Sequence, residues 1–142
     1  MREPRPYHDS LARWGFNMDT ALMSTLEKFH VSRATAEAAP LPPGRRSAEL
    51  FRHGTMHLRW YSPGASGLDH DPQTPHDQDE VYIVAAGTGW FVCGEGREKF
   101  GPGDALFAPA HTVHRFENFT PDFAAWVMFY GPTGGEVAAG RN

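Results

Sequence analysis

Two histidines and a glutamate, His76, Glu80 and His114, are the residues whose types and placement offer the most definite chemistry in this sequence. Two neutral imidazoles and one carboxylate form the facial set associated with Fe(II), and the same donors suit Mn, Co, Ni or Zn. His76 and Glu80 lie four residues apart in "TPHDQDEVYIVAAGTG", Thr74 to Gly89, where Glu80 opens a run that carries Tyr82 and Val84 on its own face. A hairpin through Asp77 to Asp79 would set His76 and Glu80 on neighbouring strands. His114 lies in "GDALFAPAHTVHRFEN", where it shares strand parity with Phe116 and Asn118. Three protein ligands with open positions are what a catalytic metal site requires.

The remaining histidines rank lower. His8 and His30 belong to a polar tail, where the expectation is solvation. His57 shares parity with Arg59 and Tyr61, opposite Met56, Leu58 and Trp60; with His53 it reads as an exposed imidazole on the polar face of a strand. His111 is an alternative fourth ligand, with His70 behind it, because loop histidines are usually solvated. Tyr82, Gln78 and Arg59 are the polar candidates for catalysis near the triad, with Gln73 beside them. Arg59 fits either a carboxylate clamp or a surface position. "GASG" lacks the spacing of a nucleophile elbow. "GTGWFV" and "GEGREKF" match no dinucleotide or phosphate loop. Cys93, on an apolar strand, reads as buried and inert.

The elements that must position these residues are strands. "AELFRH", "TMHLRWY", "EVYIVA", "WFVCG", "REKF", "ALFAPA", "VHRFEN" and "FAAWVMFY" are short apolar or alternating runs bounded by Gly, Pro, Asn or Asp. Strands at roughly 8–12-residue spacing with turn signals between them predict an all-β sandwich or barrel. "SRATAEAA" predicts a short helix with Ser32 as cap and Pro40 as stop. "PLPPGRR" is a linker, and "SPGASGLDHDPQTP" is a long loop of the kind that often carries function.

The 142 residues fit one domain with a moderate core, and 15 Gly with 12 Pro favour many tight turns. A net charge of -4 gives no basic stripe for nucleic acid or an anionic membrane. One cysteine excludes an intramolecular disulfide and a cysteine-based zinc site. The first residues hold no apolar run long enough for a signal peptide or membrane span, so the expected location is the cytoplasm. Residues 1–22 read as a poorly ordered extension, dispensable for a domain at 23–142 whose barrel core spans about 48–130. "FAAWVMFY" is apolar on both faces; one can fill a barrel, and the other predicts a homodimer.

With these motifs in place, the sequence resembles the cupins, and within them single-domain bacterial conserved-barrel proteins. The family's second motif, G-x5-P-x-G-x2-H-x3-N, is matched by Gly103, Pro109, His114 and Asn118, with His111 at the internal glycine. In the first, G-x5-H-x-H-x3,4-E-x6-G, His76, Glu80 and Gly87 take the second histidine, the glutamate and the closing glycine. Thr74 stands at the first histidine, and Gly67 is one residue early for the opening glycine. The resemblance covers about Ala48 to Tyr130. It implies a single antiparallel jelly-roll barrel and a divalent transition metal (Fe, Mn, Ni, Zn or Co) held by His76, Glu80 and His114. The function it implies is a metal-dependent oxygenase or isomerase acting on a small organic acid or sugar-like molecule. A non-catalytic binder of such a molecule is the second reading. Between oxygenase and isomerase, the threonine at the fourth slot leaves room for substrate and O₂ together and favours the first.

Overall fold

The computed structural model describes residues 30–43, 45–71 and 73–137; the expected extension, residues 1–22, and His8 lie outside them. Among the described residues one α-helix, α1 (Arg33–Ala38), precedes eight strands: β1 (Ser47–His53), β2 (Met56–Tyr61), β3 (Asp79–Ala86), β4 (Gly89–Cys93), β5 (Gly96–Phe100), β6 (Ala105–Ala108), β7 (His114–Glu117) and β8 (Ala124–Tyr130). They form two antiparallel sheets, ordered β1-β2-β8-β3-β6 and β5-β4-β7. All eight expected apolar runs are strands. The helix is also where its cap predicts, with the Ser32 side chain accepting a hydrogen bond from the Thr35 N–H.

Between the sheets lies an aromatic floor. Tyr61, Tyr82, Phe91, Phe100, Phe116 and Phe123 are buried together with Val84, Ala125 and Val127. Ring centroids of Phe116 stand 4.7 Å from Phe123, 5.0 Å from Tyr82 and 5.1 Å from Phe91, the spacing of tilted and edge-to-face pairs. Each such side chain contributes on the order of 1.5–3 kcal/mol by burial.

Strand β2 corrects the sequence reading. Its apolar residues Leu58 and Trp60 face outward, where they pack with Ala36 of α1, Leu50, Ala124 and Trp126. Its polar set, His57, Arg59 and Tyr61, faces the space between the sheets. The alternation was legible, but a helix covering the outer face reverses which side is the interior. His57 is therefore not an exposed imidazole. It stacks on Phe129 at 4.7 Å with 7° between the planes, and only 14% of its side chain is exposed.

The same helix changes the account of β8. Ala124 is buried beneath it and Trp126 partly so. The uncovered part of this face is smaller than the strand alone implies, and holds Met128, Ile83 of β3 and Phe107 of β6, exposed by 39%, 42% and 50%.

Gly87, the closing glycine of the first motif, turns β3 into β4 with φ at +83°, and a Cβ there would lie 2.5 Å from the Phe123 Cα. Both the dihedral and the contact demand glycine. Gly87→Ala is expected to cost about 2 kcal/mol or more, a fall of roughly 5–10 °C in melting temperature by calorimetry. An unchanged midpoint would mean that the turn relaxes around the added carbon.

Candidate metal centre

His76, Glu80 and His114 meet at one end of the aromatic floor. One nitrogen of each imidazole and one Glu80 oxygen all lie within 4.8 Å of one another. His114 Nε2 is 3.1 Å from Glu80 Oε2, and His76 Nε2 is 3.6 Å from the same oxygen. No strand carries His76: it lies just before a bend at Asp77 and Gln78 that leads into β3, and Glu80 is the second residue of that strand. Glu80 and Tyr82 point inward together because they share strand parity. His114 opens β7 on the opposite sheet.

Backbone contacts clip the two motifs together. The Asp79 carboxylate accepts from the Ala110 N–H at 2.8 Å and from the Glu136 N–H at 2.8 Å. These bonds hold its carboxyl below the usual range. The His111 N–H donates to the His76 carbonyl at 2.8 Å. The turn that precedes His114 is thereby fixed against the segment that carries His76 and Glu80.

The hydrogen bonds settle the tautomer of neutral His114. Its Nδ1 lies 2.8 Å from the Thr112 carbonyl, which only accepts, so Nδ1 carries the proton and Nε2 presents its lone pair to Glu80. Burial lowers the affinity of His114 for a second proton, but the Glu80 and Thr112 contacts outweigh it and leave the pKa raised. Burial dominates at His76 and lowers its pKa. Tyr82 donates to Glu80 Oε1 at 2.5 Å, with Gln73 Oε1 at 3.1 Å and His114 Nε2 at 3.2 Å from the same hydroxyl. Burial, then the Glu80 charge, pushes the phenol pKa well above its ordinary value.

A residue set that the motifs do not contain supports this group. Gln73 donates through Nε2 to Asp71 Oδ2 at 2.9 Å, which turns its amide oxygen toward Tyr82 and, at 3.4 Å, His76 Nε2. Asp71 also accepts from the Tyr61 hydroxyl at 2.6 Å and the Phe116 N–H at 2.8 Å. Asp71 and Tyr61 escaped the sequence reading: Asp71 lies in a loop of turn formers, and Tyr61 on a face read as external.

This donor chemistry fits a cation. Glu80 Oε2 and the lone pair of neutral His114 Nε2 face each other at 3.1 Å, with His76 Nε2 3.6 Å from the same oxygen, while Tyr82 holds Glu80 Oε1 and Gln73 Oε1 lies within 3.4 Å of His76 Nε2. Two lone pairs that face each other repel, and a metal ion relieves that repulsion by accepting both.

The other candidates lie elsewhere. His111 is exposed, with Nδ1 3.7 Å from Asp77, and His70 is an exposed partner of Asp69 at 2.9 Å. Thr74 is exposed. Gln78 is fully committed: Nε2 donates to the Thr55 and Gly131 carbonyls, each at 2.9 Å, and Oε1 receives His57 Nε2 at 3.2 Å. Arg59 holds Ser47 through its Oγ at 2.7 Å and its carbonyl at 2.9 Å. Cys93 is partly buried, and burial raises its thiol pKa.

Several comparisons bear on this geometry. Residues 61–130 match the family described as Cupin domain. A protein of Streptomyces coelicolor, uncharacterized protein SCO3923, is 28% identical over 107 residues, which are 75% of this chain and 93% of that one. Among solved structures, a cupin-2 domain containing protein from Shewanella frigidimarina superposes with a TM-score of 0.51 at 11% identity, over 72% of this chain and 96% of that one. A candidate mannose-6-phosphate isomerase from Ralstonia eutropha gives a TM-score of 0.51 at 18% identity, over 70% of this chain and 96% of that one. At such identities the two structures speak for the fold alone.

His111 occupies the motif's internal glycine position with φ at +61°, a region that costs most L-residues about 1–2 kcal/mol. His111→Gly keeps the N–H that binds His76 and removes the strain. The expected result is a stability gain of about 1 kcal/mol in denaturant titration with bound metal unchanged; lost metal would make His111 a ligand. A match over residues 61–130, a two-sheet jelly roll and both motifs in order make this chain a member of the cupin superfamily.

Proposed function

We propose that the protein is a metal-dependent enzyme acting on a small organic molecule, with His76, Glu80 and His114 holding one divalent transition metal. The convergence of one ligand atom each from His76, Glu80 and His114 within 4.8 Å carries this reading. A metal held there supplies Lewis acidity or, if redox-active, oxygen activation. The chain's own groups set the geometry. The Thr112 carbonyl orients His114. The Tyr82 hydroxyl occupies Glu80 Oε1 and leaves Oε2 directed at the imidazoles. Gln73 Oε1 is a neutral oxygen beside His76. Oxidation with O₂ or isomerisation suits this set better than hydrolysis through a protein nucleophile, because no Ser, Cys or Lys belongs to it.

A non-catalytic binding module is the second reading. One observation favours it: apart from the three ligands, the cluster is faced by Tyr82, whose proton is firmly held, and by the neutral amide of Gln73. Neither is a base at neutral pH. Turnover of a bound molecule separates the two readings.

Protein purified without chelators is expected to contain about one metal per chain by elemental analysis. His114→Ala, His76→Ala and the near-isosteric Glu80→Gln should each lose most of it and melt at lower temperature. Affinity should rise about tenfold per pH unit over the range in which His114 gives up its proton, because metal and proton compete for one lone pair. Full occupancy in the double variant His76→Ala/His114→Ala would overturn the assignment.

The proposal extends to assembly and location. Among the described residues no helix is long and apolar enough to cross a membrane, and we place the protein in the cytoplasm. The uncovered row Met128–Val81–Phe107, continuous across β8, β3 and β6 with Ile83 beside it, is assigned to a second copy of the chain. Light scattering at micromolar concentration should give the mass of a homodimer, and Ile83→Lys should shift it to monomer. A wild-type monomer would remove the interface.

A further inference from the structure

The first cupin motif asks for two histidines, and the residue at its first histidine position here, Thr74, is exposed. One residue earlier, Gln73 turns inward and bounds a cavity together with His76, Glu80 and Tyr82. Its amide oxygen lies 3.4 Å from His76 Nε2 and 3.1 Å from the Tyr82 hydroxyl. An oxygen donor therefore stands beside the cluster, on a residue that the motif spacing does not select.

Which end of the amide faces the cluster is decided at its other end. Gln73 Nε2 donates to Asp71 Oδ2 at 2.9 Å, and Asp71 is buried. The same oxygen accepts from the Phe116 N–H at 2.8 Å, while Oδ1 accepts from the Tyr61 hydroxyl at 2.6 Å. Burial raises the Asp71 pKa, and these three donors pull it the other way. A flipped amide would set its oxygen against the carboxylate, where two acceptors repel. A carboxylate at position 73 would meet the same repulsion. An amide satisfies Asp71 with its nitrogen and presents its oxygen to the cluster at once.

The spacing is that of neighbouring ligand atoms. Donors about 2.1 Å from one ion stand roughly 3.0–3.4 Å apart at adjacent octahedral or tetrahedral positions. Here His114 Nε2 and Glu80 Oε2 are 3.1 Å apart, His76 Nε2 and Gln73 Oε1 3.4 Å, and His76 Nε2 and Glu80 Oε2 3.6 Å. The Gln73 contact is longer than an ordinary N–H···O hydrogen bond and belongs to this series. We infer that Gln73 is a fourth protein ligand, its amide oxygen binding the same metal as His76, Glu80 and His114. It fills the place that Thr74 leaves. The inference rests on the metal reading above and extends its ligand set. The amide adds no charge, and a six-coordinate metal would keep two positions for a small molecule.

Zinc affinity of the full chain, measured by competition with a chromophoric chelator, tests it. Gln73→Leu, close in size but without the oxygen, should bind zinc at least about tenfold more weakly. The same substitution in a His76→Ala background separates a ligand from a mere hydrogen-bond partner of the imidazole. Loss of a ligand should weaken that site at least about tenfold again, whereas loss of a partner of His76 costs nothing once the ring is gone. Undiminished affinity in Gln73→Leu, or no further loss in the His76→Ala background, overturns the inference and leaves the three-residue site standing. Zinc that fails to bind the unaltered chain removes the metal reading and this ligand with it. Where a variant fails to fold or binds too little zinc to titrate, carbon-13 NMR of the unaltered chain decides. On zinc saturation the Gln73 Cδ resonance should move downfield by more than that of Gln78, whose amide is held by Thr55, Gly131 and His57. A Gln73 resonance that does not move overturns the assignment.

Discussion

Around Glu80, a carboxylate oxygen and an imidazole nitrogen face each other in the interior, Oε2 against His114 Nε2 at 3.1 Å. His114 cannot supply a proton from Nε2 in its neutral form, because the Thr112 carbonyl takes the one on Nδ1. Tyr82 has a single hydroxyl proton, and Glu80 Oε1 holds it at 2.5 Å. Without a cation, the remedy is a second proton on His114, which would make a buried ion pair with Glu80 Oε2. The raised pKa of His114 expresses that pull. Proton and metal are alternative solutions to one electrostatic problem, because both compete for the same lone pair.

Much of the surrounding structure holds this arrangement in place. Asp79 and Glu80 are consecutive residues on opposite faces of β3. The first grips the Ala110 N–H outside the cluster, and the second faces the imidazoles within it. A slip of β3 by one residue would exchange these roles and lose both. The pairing of β3 with β6 and β8 on its two sides makes such a slip expensive. Phe116, two residues beyond His114, anchors β7 in the aromatic floor, and its N–H on Asp71 ties that strand to the loop carrying Gln73. The polar cluster is thus bound at its base to the best-packed part of the molecule.

How much of this the sequence disclosed follows from which signals are local. Strand existence depends on short runs and their boundaries, and the eight runs were all legible. The convergence of His76, Glu80 and His114 was legible from motif spacing, although a hairpin between two strands was the wrong local picture: a bend at Asp77 and Gln78, before β3 begins, brings His76 back beside Glu80. The interior of β2 was misassigned because alternation gives two faces but not which is inside. That choice is made by α1, whose Ala36 lies on Leu50, Trp60 and Ala124. Asp71, Gln73 and Tyr61 form their network across a loop, a strand and the β7 backbone. No spacing rule links residues brought together that way.

The exposures of the three candidate ligands differ, and the difference gives the site a direction. Side chains of Glu80 and His114 are 1% exposed, whereas that of His76 is 36% exposed. The Phe91, Phe116 and Tyr82 rings close the inner side. A molecule approaching the cluster therefore arrives past His76, along the wall that carries Phe129 and Arg46. The first motif accordingly does two jobs at different depths, with Glu80 fixed in the interior and His76 at the threshold. The second motif contributes to the interior through His114 alone, while His111 lies outside as the left-handed corner of a turn. A ligand shell built this way is rigid on two sides and open on the third, which is the geometry that exchange of a bound molecule requires.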